Sequence, residues 1–133
     1  MLSSWHKSPM PMPITYSIDK PNGIILEVWT GEVSAMVLAA YWKRLLADPD
    51  ALTIRKTLVD LRNCQIGFSG EQLFDLICTV AEPMLNGRDW RSALLVREAV
   101  HFGVSRQYQS LAQMYSEDAI FHDKDAALKW LIQ

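Results

Sequence analysis

Apolar and polar positions alternate with two different rhythms along this chain, and the switches between them mark its elements. Ile14, Tyr16 and Ile18 recur every second residue, as on a half-buried strand. Lys20-Pro21-Asn22-Gly23 has turn chemistry, and Ile24 to Thr30 is again rich in strand formers. The period then lengthens. After Ser34, a residue able to cap a helix, Val37, Leu38, Tyr41, Trp42 and Leu45 fall at three- and four-residue spacing, and the pattern stops before Asp48-Pro49-Asp50. Lys56 to Leu61 reads as a buried strand that ends at polar residues. Ser69-Gly70-Glu71-Gln72 is a capping box opening a helix with the stripe Leu73, Ile77, Val80, Ala81 and Met84, which Pro83 should bend or end. Ser92 to Val96 suits a central strand, and Val104, Tyr108, Leu111, Ala112 and Tyr115 mark the inner side of a third helix. Ala119 to Phe121 predicts a last strand, and Asp123 caps a last helix whose inner face is Ala127, Trp130 and Leu131.

The predicted order is ββαβαβαβα. Strands that alternate with helices need crossovers of one hand, so the expected fold class is α/β, with a mostly parallel five-stranded sheet and an antiparallel first strand at its edge. Residues 14–133 are expected to form a single domain. Residues 1–13, where Pro9, Pro11 and Pro13 alternate with methionines, are expected to be a flexible arm, because each proline removes a donor and restrains its predecessor.

Composition narrows the function. The 133 residues are half apolar, enough for one ordinary core. The 13 basic and 15 acidic residues are dispersed and leave a net charge of -2, so no concentrated field attracts nucleic acid or an anionic membrane. No apolar run approaches the roughly 18–20 residues of a membrane span, and the start lacks a signal-peptide core, so a cytoplasmic protein is expected. Cys64 and Cys78 have neither metal-ligand spacing nor disulfide-scaffold density and are read as free thiols. No phosphate-cradling glycine loop occurs, and His6, His101 and His122 have no acidic cluster at metal-ligand spacing, so neither metal nor cofactor is implied.

The candidate chemistry is therefore sparse. Ser69 is first of all a helix cap, and a phosphate there would meet the positive end of the helix. Arg62, Arg97 and Arg106, with Glu98 among them, fall near one expected sheet edge and could hold an anion. Cys64 and His101 could meet at that edge as a nucleophile pair. Trp90, between Arg88-Asp89 and Arg91, is read as a candidate surface or dimer contact.

The element order, Leu58-Val59-Asp60-Leu61 leading to Ser69-Gly70, the segment Phe102-Gly103-Val104-Ser105-Arg106, and Ile120-Phe121-His122-Asp123 with Ala127-Leu128-Lys129-Trp130-Leu131 together resemble the STAS/SEC14-like, or SpoIIAA-like, family of small bacterial proteins. The resemblance spans about Thr15 to Leu131 and implies a superhelix of βα turns. It also implies two kinds of partner. Anti-sigma factor antagonists of this type carry a phosphorylatable serine followed by glycine after the third strand, matched here by Ser69-Gly70, although Gly67-Phe68 replaces the aspartate and small hydroxylated residue that usually precede the pair. SEC14-like domains bind apolar molecules between movable helices. The resulting expectation is a non-enzymatic cytoplasmic binding or regulatory domain that forms a homodimer and has an apolar ligand or a protein as its partner, with Ser69, Arg62, Arg97, His101 and Arg106 as regulatory or ligand-binding candidates. The alternatives are a phosphorylation-controlled interaction module and a small hydrolase using Cys64.

Overall fold

The structure, a computed structural model, describes residues 12–133; nearly all of the expected N-terminal arm lies outside the described residues. Strand β1 (Ile14–Asp19) pairs antiparallel with β2 (Ile24–Ser34), from Ile14 opposite Trp29 to Asp19 opposite Ile24. Strands β3 (Lys56–Gly67), β4 (Trp90–Leu95) and β5 (Ser116–Phe121) follow in parallel, and the sheet runs β1-β2-β3-β4-β5. This is the mixed five-stranded α/β architecture that the hydrophobic rhythm predicts.

Each parallel strand lies beside its predecessor, so same-handed crossovers place the connecting helices on one face. These are α1 (Ala35–Leu46), the α3–α4 unit (Gly70–Leu76 and Glu82–Leu85) and α5 (Ala99–Leu111). They cover the larger core, which includes Ile25, Trp29, Leu38, Tyr41, Val59, Leu73, Ile77 and Leu94. The final helix, α6 (Lys124–Ile132), has only the opposite face left to it. There Ala127 and Leu131 pack on Ile24, Leu58, Ala93 and Leu95.

The caps behave as their sequence predicts. Ser34 Oγ accepts from the Val37 amide at 3.2 Å, and Asp123 accepts from the Ala126 amide at 3.0 Å. At Ser69 the reciprocal box is complete: its Oγ accepts from the Gln72 amide at 3.1 Å, while Gln72 Oε1 accepts from the Ser69 amide at 2.8 Å. Two helical details differ from expectation. Pro49–Leu52 forms a one-turn helix, α2, with Asp48 as its cap and proline at its start, where a missing donor does no harm. Pro83 does not end its helix; a π-helical turn at Ile77–Ala81 precedes it, and this wider turn accommodates the ring before α4 continues.

The main correction concerns β3. It does not stop at Leu61 but runs on through Arg62 and Asn63 to Gly67, paired with an equally extended β2. The ladder slips between Val28, opposite Asp60, and Thr30, opposite Asn63, so β3 carries one residue more than β2 there. That bulge reverses the parity of the strand and lets both Leu61 and Cys64 face the larger core. Strand β4 is paired on both sides, with β3 and β5, as its continuous apolar run predicts.

Candidate functional site

A cavity of about 80 Å³ opens on the three-helix face of the sheet. Its floor alternates by strand parity: Glu27 and Trp29 from β2, Thr57, Val59 and Leu61 from β3, and Trp90, Ser92 and Leu94 from β4. Its roof is Leu38, Trp42, Leu45 and Leu46 from α1, Leu73, Ala81 and Leu85 from the α3–α4 unit, and Val104, Ser105 and Tyr108 from α5. Trp42, Phe68, Val104 and Tyr108 are only partly buried and form the rim, with the Trp42 and Tyr108 rings 6.3 Å apart.

Within these apolar walls stand polar groups that need an account. Glu27 is only 4% exposed; its Oε2 accepts from Trp29 Nε1 and its Oε1 from the Tyr41 hydroxyl, both at 2.7 Å. Among the described residues no Lys, Arg or His lines the cavity to balance a carboxylate there. Burial raises its pKa, against the lowering effect of the Trp29 and Tyr41 hydrogen bonds. Ser105, 2% exposed, has no hydrogen-bond partner for its Oγ among the described residues. Thr57, Ser92 and Asp118 stand directly across one another on β3, β4 and β5 and form a buried polar row, in which Thr57 Oγ1 accepts from Trp90 Nε1 at 3.0 Å. The Asp118 pKa is raised to about 7 by burial, which the Ser116 and Ser92 hydroxyls only partly offset.

The residues singled out from sequence do not assemble at this cavity. Arg62 forms a two-pronged pair with Asp60, Nε to Oδ1 and Nη2 to Oδ2 at 3.0 Å each. Asp60 has the parity of Leu58, which places this pair toward α6 on the other face of the sheet. Arg97 Nη1 donates to Asn63 Oδ1 at 3.2 Å, an exposed link from just beyond β4 to the interior of β3. Arg106 is exposed on α5, and Ser69 is exposed at the start of α3. The arginines therefore do not converge on one anion position.

His101 is fully buried, and its role is readable from its partners. Nδ1 accepts from the Arg97 amide at 3.3 Å and the Glu98 amide at 3.1 Å, which leaves the ring proton on Nε2 to be donated to the Cys64 carbonyl at 2.9 Å. The imidazole thus caps α5 and satisfies β3 beyond the last β4 pairing, at Asp60–Leu95. It meets the backbone of Cys64, not its sulfur. Burial, followed by the nearby Asp60 charge, pushes the Cys64 thiol up to about 11, so at neutral pH it is protonated and has no base beside it. Trp90 also needs correction: it is 4% exposed, begins β4 and lines the cavity, so it does not lie in a polar surface connection. Its indole and the edge pairing with Ser116 are the reasons it faces inward.

Among the described residues, no group of three or more His, Cys, Asp or Glu side chains is placed to hold a metal ion, and no helix is long and apolar enough to cross a membrane. Sequence reasoning passed over Glu27, Thr57, Ser92, Ser105 and Asp118. The available signal was parity: Glu27 lies between Ile25 and Trp29 on the inward side of an apolar strand, an expensive position for an acid.

This arrangement of strands and helices is the SpoIIAA-like fold. An uncharacterized protein with that fold from Shewanella loihica superposes with a TM-score of 0.64 at 19% identity, covering 94% of this chain and 98% of the other. The anti-sigma factor antagonist SpoIIAA in its unphosphorylated form gives 0.57 at 11% identity, covering 88% and 94%. An anti-sigma factor antagonist from Mycobacterium paratuberculosis gives 0.56 at 16% identity, covering 92% and 97%. No family model and no curated protein matches the sequence.

Proposed function

We propose that this chain is a non-enzymatic, cytoplasmic binding domain whose cavity beneath α1, α3–α4 and α5 takes a small, largely apolar molecule. The observation that carries this reading is an enclosed apolar space with a partly open aromatic rim. Such concave sites with a few placed polar groups are where proteins bind small ligands. At about 80 Å³ it is roughly half of a ~150 Å³ cavity that admits one benzene ring, so the occupant is a short chain or branched group, or enters as the helices part. Two unpaired cysteines, Cys64 and Cys78, fit a reducing compartment.

Native mass spectrometry of protein purified from its own host tests the reading, with Ser105→Val as the control. Valine removes the unpartnered hydroxyl and fills part of the space, so the variant should be more stable by about 0.5–1 kcal/mol and lose the co-purifying mass. A wild-type protein that is ligand-free and fully functional in its host would overturn the reading.

A second reading, a phosphorylation-controlled protein-interaction module, is favoured by two of the solved structures of this fold being anti-sigma factor antagonists and by the exposure of Ser69. Exposed Phe74 and Phe102, on α3 and α5, provide apolar area for a protein partner or for the second copy of a homodimer. On this reading Ser69→Asp abolishes one interaction in a pull-down that Ser69→Ala retains, although alanine loses the cap and about 1 kcal/mol of stability. Equal capture by both variants removes it.

A further inference from the structure

The cavity has one feature that an apolar ligand alone leaves without a purpose: a buried acid with no Lys, Arg or His beside it in the cavity wall among the described residues. Glu27 has a neutral donor on each oxygen, Trp29 Nε1 and the Tyr41 hydroxyl, and an ionised carboxylate offers roughly four acceptor positions in all. Acceptor capacity therefore remains. Around it the walls are aromatic: Trp29, Trp42, Phe68, Trp90 and Tyr108 all line the space, and ring faces attract cations most strongly where water is excluded. Burial raises the Glu27 pKa and favours its neutral form, so a ligand that brings a cation is held by drawing out the carboxylate, whereas an apolar ligand brings no donor, an alcohol one neutral donor, and an anion is repelled.

We infer that the cavity selects a small amine, with an ammonium group set against the Glu27 carboxylate and the faces of the surrounding rings and a short or branched carbon body filling the apolar remainder. The inference rests on the proposed ligand-binding reading and gives that ligand its chemical class. Ser105 contributes the second polar contact. Its unpartnered Oγ lies on α5 in the same cavity wall and can accept from the ammonium, which has three donors to distribute.

Three probes of nearly equal shape separate charge from bulk: 3-methylbutylamine, 3-methylbutanol and 3-methylbutanoate. Binding to the full chain is measured by calorimetry and by intrinsic fluorescence, since Trp29, Trp42 and Trp90 line the cavity. The amine should bind about tenfold more tightly than the alcohol, and the carboxylate should not bind measurably. In Glu27→Gln that preference should fall to about unity while alcohol binding changes little. Trp42→Leu, on the rim, should reduce the same ratio by a few-fold and tests the ring contribution if the glutamine variant folds poorly. Because the readout is a ratio between two ligands on one protein, a loss of stability alone does not imitate it. An alcohol that binds as well as the amine, or an amine preference unchanged in Glu27→Gln, overturns the amine inference and leaves the apolar cavity standing. If none of the three probes binds, the amine inference and the ligand-binding reading fail together.

Discussion

At the scale of single residues, the buried acids dominate what this protein should do as pH changes. Asp118 has an ordinary carboxyl pKa of 3.8 when exposed and about 7 in the fold, because burial between β4 and α5 penalises its charge more than Ser116 and Ser92 stabilise it. The unfolded chain therefore releases this proton first. Between pH 4 and 7 the folded state holds a proton that the unfolded state has lost, so stability falls as pH rises through that window and levels off above it. Asp118→Asn should raise stability by about 1–3 kcal/mol at pH 8 and by close to nothing at pH 4, a difference that urea unfolding at the two pH values would measure. Equal effects at both would show that the carboxyl titrates normally. Residues of this kind were poorly legible from sequence for a definite reason. Ser116-Glu117-Asp118 reads as a polar connection, and only the pairing of Ser92 with Asp118 shows that one of the three points into the core. His101 was legible as a position of interest but not as a cap, since one of its partners, the Cys64 carbonyl, lies 37 residues earlier in the chain, while the Arg97 and Glu98 amides are close by.

Elements were more legible than residues because their signals are local. Ser34, Ser69 and Asp123 announce helix starts through side chains that bond backbone two or three residues onward, and all three do so. The length of β3 could not be read in the same way. Arg62 and Asn63 look like the end of a strand, yet the ladder continues past them because the bulge turns Cys64 and Ile66 inward again. Opposite this irregularity Gly31 has φ +66°, a left-handed conformation inside a strand that a residue with a Cβ adopts at a cost. Nothing lies within 4 Å of where that Cβ would be, so space is not the obstacle and the cost is conformational. Gly31→Ala should accordingly destabilise the protein by about 1–2 kcal/mol in equilibrium unfolding. An alanine variant as stable as the parent would mean that the β2–β3 ribbon readily adopts another register. Gly70 differs, because a Cβ there would meet only the flexible end of Gln107, at 2.4 Å, which can move aside.

For the whole molecule, handedness explains why the two faces of the sheet are so unequal. Crossovers that all advance in one direction stack α1, α3–α4 and α5 over the larger core and its cavity, leaving the other face to α6 alone. That second layer is thin, with Ala127 and Leu131 as its fully buried helical residues, closed at the sides by Phe121 and Trp130, whose rings lie 5.7 Å apart. Arg91 also rests over the Trp130 ring at 4.0 Å. Truncating Leu131 to alanine removes the largest fully buried side chain of α6, so a loss of about 2–4 kcal/mol is expected. The same strands supply both cores: Leu58 faces α6 while its neighbours Thr57 and Val59 face the cavity. An α6 that peels away would uncover the back of β3 and β4, and the two layers should therefore be lost together. Unfolding of Leu131→Ala followed by far-UV and near-UV circular dichroism should give coincident transitions at a lower midpoint with an unchanged denaturant slope. A separate early transition, with the larger core still folded, would show that the three-helix face and its cavity stand without α6.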